Sequence, residues 1–192
     1  MPQPNPAALD FLLTRRSRPA KTLTSPVPDR AALEPILRAA GRSPDHGKLE
    51  PWRFIVLERE ALLRLAGYVE TRGAALGKAP EDIEKQRRQY ADAHLVVAVI
   101  ACPEASDKIP QIEQTLSVGA VCLQLLNAAL ASGWGANWLT GWASHDPMFM
   151  EEALGLSSVE WVGGLIHIGT ETAEPPDRPR PDLDAKVSWV AT

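Results

Sequence analysis

Cysteine is nearly absent from this chain. Cys102 and Cys122 are the only two in 192 residues, and they form neither a CxxC pair nor a metal-ligand spacing. That excludes a disulfide framework and fits a reducing cytoplasm, with both thiols serving as small buried hydrophobes. Long apolar runs are also missing. Those such as LVVAVIAC, Leu95 to Cys102, stop well short of the roughly twenty residues that cross a bilayer, so no membrane partner is expected. MPQPNPAALDFLL has no positive region ahead of an apolar one and is not read as a signal peptide. Neither sign of charge dominates: the net charge is −4 and no basic stripe interleaves with aromatics, which argues against a nucleic-acid partner. Gly133-Trp134-Gly135 lacks the third glycine of a dinucleotide fingerprint, and phosphate-loop, nucleophile-elbow and HExxH patterns are absent. The four histidines, His46, His94, His145 and His167, are scattered without ligand spacing, so no metal site is expected. His167, alternating within GLIHIG, reads as a core or sheet histidine.

What remains is a globular composition, 45% apolar, read as one domain over residues 1–192. Periodicity places a first helix at Pro6 to Thr14, with Leu9, Leu12 and Leu13 on one face. A second runs from Asp29 to Ala40, capped by Asp29, with Leu33, Ile36, Leu37 and Ala40 at helical spacing. A strand follows at Arg53 to Glu58, then a helix at Ala61 to Leu76, on which Arg72 is expected to be exposed. The charged stretch Glu81 to Ala93, anchored only by Ile83 and Tyr90, reads as a loosely held surface helix. LVVAVIA reads as a strand buried on both faces.

Ile112 to Ser132 is helical and, from Leu116 onward, apolar on nearly every side. It is therefore expected to be buried on nearly every side, as a central packing axis that a second subunit could help to cover. Its Ser117, Gly119 and Ala120 form a small-residue patch open to close approach by a backbone or a flat ligand. ANWLT reads as a short strand, Asp146-Pro147 as a helix start closed by Gly155, and Val162 to Gly169 as a buried strand. The tail, Thr172 to Asp184, is rich in proline and charge, and Val187 to Val190 is expected to pair as a final strand. Strands and helices mix without regular alternation, which favours α+β.

Positive patches carry the candidate chemistry. Arg15, Arg16, Ser17, Arg18 and Lys21 follow the first helix; guanidinium forks and a hydroxyl match phosphate, and cations at a helix C-terminus are also favoured by the helix dipole alone. The stretch RSPDHGKLEPWRF, Arg42 to Phe54, is a second patch, and Arg178 with Arg180 a third. Six tryptophans against three phenylalanines is unusual. Trp134, Trp138 and Trp142 either fill core beside the long helix or shape a slot for a flat substrate.

Taken in order, Arg15-Arg16-Ser17, then Arg42 to Phe54, then Gly119 to Trp138, then Gly164 to Gly169, the chain resembles the nitroreductase family of flavin-dependent NAD(P)H oxidoreductases, and its small single-domain branch in particular. The resemblance implies an α+β fold with a mostly antiparallel central sheet flanked by helices. It implies a cytoplasmic, intertwined homodimer whose C-terminal segment crosses to the partner, with two FMN sites at the interface. It assigns cofactor contacts to Arg15, Arg16 and Ser17 at the phosphate, to Arg42 and His46, to Leu139, Thr140 and Gly141, and more loosely to Arg180. Lys48 and Glu50 stand where the family has Asn and Gln, and Pro19 stands where it has a basic residue. The cation facing flavin N1 is then Arg18, Lys21 or Lys48. The implied activity is ping-pong two-electron transfer from NAD(P)H to flat electron-poor acceptors such as nitroaromatics and quinones, with the chemistry on FMN and no catalytic side chain. A flavin-binding dimer acting as sensor or carrier without turnover is the alternative.

Overall fold

The computed structural model describes residues 3–192. Asn5 accepts a hydrogen bond from the Ala8 amide and opens α1, Pro6–Thr14. Asp29 does the same for Ala32 at the start of α2, Arg30–Ala40, whose Leu33, Ile36 and Ala40 face inward as the spacing predicts. Helix α3, Arg59–Ala75, and helix α4, Pro80–Ala91, follow, and α5 spans Gln111–Ala131. The strands are β1 (Leu23–Thr24), β2 (Trp52–Glu58), β3 (Leu95–Ala101), β4 (Gly135–Leu139) and β5 (Trp161–Glu171). Every pairing among them is antiparallel, in the order β1-β5-β3-β2, with β4 also on β5. The α+β expectation and its antiparallel sheet hold.

The sheet is the middle of three layers. Val97, Val99, Ile166 and Ile168 pack against α2 and α5 on one face. Val96, Ala98, Ile100 and Leu165 pack against α3, Tyr90 and Phe149 on the other. All seven residues of β3 are buried, which accounts for its unbroken apolar run. Between Val99 and Ile100 the register with β5 shifts, leaving Gly163 bulged. A Cβ at Gly163 would strike Val118 of α5, and one at Gly164 would strike the indole nitrogen of Trp138. This glycine pair lets the long helix and Trp138 lie directly on the sheet.

Asp146 caps a short helical stretch by accepting from the Phe149 amide at 2.8 Å, and Phe149–Ala153 wind as a π-helix. Three expectations fail. Val187 to Val190 form no strand, and Trp189 is 93% exposed. Helix α5 is not enclosed: Ile112, Leu116 and Leu123 form an exposed apolar stripe, because α2 and the sheet cover only the opposite side. Cys102 is only partly buried, whereas Cys122 is in the core. Burial pushes both thiols up, Cys102 to about 11 and Cys122 to about 12, so neither is a thiolate nucleophile near neutral pH.

Candidate functional site

The chain leaves α1 in extended conformation at Arg15 and is stitched to β4 three residues on. The Arg18 amide donates to the Ala136 carbonyl, and the Asn137 side-chain amide donates to the Arg18 carbonyl at 2.6 Å. This fixes the arginine arm against the sheet. Arg15 Nη2 donates to Ser17 Oγ at 3.0 Å, and Arg16 Nη2 to the Pro176 carbonyl at 2.8 Å. Through Pro176 the proline-rich tail lies over the arm. Burial, then the neighbouring charges of Arg16 and Arg180, hold the Arg15 guanidinium below its ordinary pKa, as expected where cations converge. The Nε atoms of Arg15 and Arg16 are shielded from solvent yet donate to no acceptor among the described residues. The structure thus brings Arg15, Arg16, Ser17 and Arg180 into one cationic cradle. Beside it lies a cavity of about 440 Å³ walled by Phe11, Thr14 and Trp134.

Of the three candidate flavin cations, Arg18 is paired with Glu171 at 2.6 Å, while Lys21 and Lys48 are exposed. Lys48 sits in an unusual backbone. Gly47, Lys48 and Glu50 all have positive φ, at 72°, 56° and 48°, and the Glu50 amide is tied to Asp45 Oδ2. Two left-handed non-glycine residues in one short loop mark a conformation that the surroundings impose. Helix α5 supplies that constraint: Ser117 Oγ donates to the Pro44 carbonyl at 2.8 Å, and His46 Nδ1 lies 2.5 Å from Glu113 Oε2. Trp52 Nε1 reaches the same serine from β2. Arg42 is exposed beside this loop.

Leu139, the last residue of β4, and Gly141 just beyond it are half-buried, and Thr140 between them is exposed. Gln86 of α4 lies against Gly141 so closely that a Cβ there would overlap the amide. Trp134 packs on the α5 side of the sheet and Trp142 on the opposite side, with Lys78 Nζ 5.0 Å from the Trp142 ring. Trp138, over Gly164, is about one-third exposed. The three tryptophans therefore do not line one slot within the chain.

The family model described as Nitroreductase family matches residues 12–170. The chain belongs to the nitroreductase family. Two relatives, each named "Putative NAD(P)H nitroreductase", bracket its sequence. YdjA of Escherichia coli K12 is 35% identical over 163 residues, covering 85% of this chain and 87% of that protein. The Haemophilus influenzae protein is 36% identical over 165 residues, covering 85% and 88%. Among solved structures, a nitroreductase-like protein from Bacillus cereus superposes with a TM-score of 0.79 at 20% identity, over 99% of this chain and 98% of that one. The nitroreductase match takes in the arginine arm, the Arg42–Glu50 loop and Leu139 to Gly141, and ends before Arg180.

Sequence reading missed the carboxylates of this site. Glu113 partners His46, Glu171 partners Arg18, and Asp177 contacts both Arg16 and Arg180. Each pair but Arg180–Asp177 joins residues far apart in the chain, so no local spacing announces them. Arg72, expected on an exposed face, is instead clamped to the buried carboxylate of Asp146 by two 2.8 Å contacts.

Proposed function

We propose that this nitroreductase-family chain is an FMN-dependent NAD(P)H oxidoreductase that reduces flat, electron-poor acceptors such as nitroaromatics or quinones. The observation that carries the reading is the cationic cradle. Three guanidiniums and a hydroxyl converge, two of the guanidiniums with shielded Nε donors that make no hydrogen bond among the described residues, and that donor set fits a phosphate. Arg15, Arg16, Ser17 and Arg180 would hold the phosphate, with Arg42, His46 and Leu139 to Gly141 at the ring system. FMN, when bound, supplies the two-electron redox chemistry; the protein supplies binding, orientation and fixed charge. Lys21 and Lys48 are better candidates than Arg18 for the cation at the flavin N1 edge, because Glu171 already neutralises Arg18.

The layout of α5 supports a homodimer. Leu130 borders the cradle's cavity, whereas Glu113 and Ser117 hold the His46 loop. Those positions are separated by roughly 20–25 Å of helical rise. A twofold assembly can bring the cradle of one chain beside the His46 loop of the other. The exposed stripe Ile112, Leu116 and Leu123, the exposed Leu9, Leu12 and Leu13 of α1, and the exposed tail around Trp189 supply apolar surface for it. On this reading the end of the tail, around Trp189, crosses to the partner, and the whole chain works as one flavin-binding unit.

The test is spectroscopic. Purified protein should be yellow, and its visible absorbance should bleach when NADH or NADPH is added without oxygen. Arg15→Ala should cost about 1.5–3 kcal/mol of FMN affinity, roughly tenfold or more. Arg38→Ala, at a residue that among the described residues pairs only with exposed Glu34, should change nothing. Protein that refuses added FMN would overturn the reading, and bound FMN that no nicotinamide reduces would favour a sensor or carrier.

A further inference from the structure

Asp177 is placed where a second anion would have to go. Its Oδ1 lies 2.9 Å from Arg180 Nη2 and 3.7 Å from Arg16 Nε. The preceding Pro176 carbonyl accepts from Arg16 Nη2, so the carboxylate and the main chain together engage Arg16. The run EPPDRPRP, Glu174 to Pro181, fixes this arrangement: four prolines restrict the backbone, and the 177/180 spacing lets the aspartate and the arginine meet. Asp177 is 70% exposed, so it can leave the arginines without breaking any packed core.

We propose that Asp177 is a built-in competitor of the cofactor phosphate for Arg16 and Arg180, and that it sets how tightly the cradle holds FMN. This rests on the FMN reading given above. A phosphate dianion offers more charge and more acceptor oxygens than a carboxylate, and therefore wins the arginines. The aspartate must then turn outward or remain as a like charge a few ångströms away, and either costs affinity. Riboflavin, which lacks the phosphate, is indifferent to this competition. The effect is moderate, because the pair is solvated and screened.

The experiment loads the full-length protein with FMN or riboflavin, dilutes it, and follows the recovery of free-flavin fluorescence. The FMN dissociation rate should fall three- to tenfold in Asp177→Asn while the riboflavin rate stays the same. An unchanged or faster FMN rate overturns the proposal, since Asp177 would then be inert or would serve to orient the arginines. Equal slowing of both flavins also overturns it, because that effect would not act through the phosphate. Inorganic phosphate is an independent probe: the rise in melting temperature that it produces should be larger in Asp177→Asn than in wild type. If phosphate behaves this way but neither flavin binds, the FMN reading falls and the competition at the cradle stands.

Discussion

Helices α4 and α5 exchange the roles that their compositions suggest. The first is charged almost all round, yet it drives Tyr90 and Gln86 into complete burial and is pinned by α3, where Gly73 leaves room for Ile83. The second is apolar almost all round, yet it leaves Ile112, Leu116 and Leu123 in solvent. Average polarity therefore says little about how well a helix is held. One large side chain in a closed pocket outweighs a turn of solvated charges, because only the former removes apolar area from water. Conversely, a contiguous apolar stripe that the rest of the chain does not cover is a candidate contact surface.

The sharpest way to break this comparison is to empty the pocket under α4. Tyr90 packs on Phe149 with ring centroids 5.7 Å apart, and both are buried. Tyr90→Ala should cost about 3–5 kcal/mol in urea unfolding, the usual range for a large aromatic truncated in a core. A loss under 1 kcal/mol would mean that α4 is the loosely attached helix its composition suggests.

A somewhat smaller effect sits in the sheet itself. His167 on β5 is 3% exposed, its Nε2 has no hydrogen-bond partner among the described residues, and burial holds its pKa down at about 4. The unfolded chain titrates near the ordinary value of about 6.5 and so binds the extra proton first. The contribution is therefore complete above about pH 6.5 and is lost as pH falls towards 4, amounting to about 3 kcal/mol. His167→Leu should flatten the stability profile between those limits. An unchanged slope would show that His167 is not the group responsible.

These two sites were legible to different degrees. Tyr90 reads as an anchor because it and Ile83 are the apolar residues of a charged segment, and His167 reads as a sheet histidine from alternation. The starts of α1 and α2 and the cap at Asp146 were readable because each is a local matter of one side chain and one amide. The arginine cradle was half legible: Arg15, Arg16 and Ser17 are contiguous, but the folding of Pro176 and Asp177 onto them joins segments 160 residues apart. The left-handed turn at Lys48 and Glu50 was not legible at all, since neither residue favours positive φ and the constraint comes from Ser117 and Glu113 on another helix. Apolar periodicity also misleads at Val187 to Val190, where it signals a strand that the chain does not form.

The smallest effect on folding, and the one that separates the two helices most cleanly, is expected on the exposed stripe of α5. Leu116 and Leu123, 66% and 45% exposed, are seven residues apart and share one helix face. Within a protomer, Leu116→Asp with Leu123→Asp removes little packing and should change its stability by no more than about 1 kcal/mol, as for surface substitutions. Between protomers the same changes place four carboxylates in an apolar contact, where desolvating an unpaired charge is costly. Sedimentation should therefore give a dimer for the wild type and a monomer for the double variant, while both melt cooperatively. A wild-type monomer, or a double variant that unfolds without dissociating, would return the stripe to ordinary surface and leave α5 no different in kind from α4.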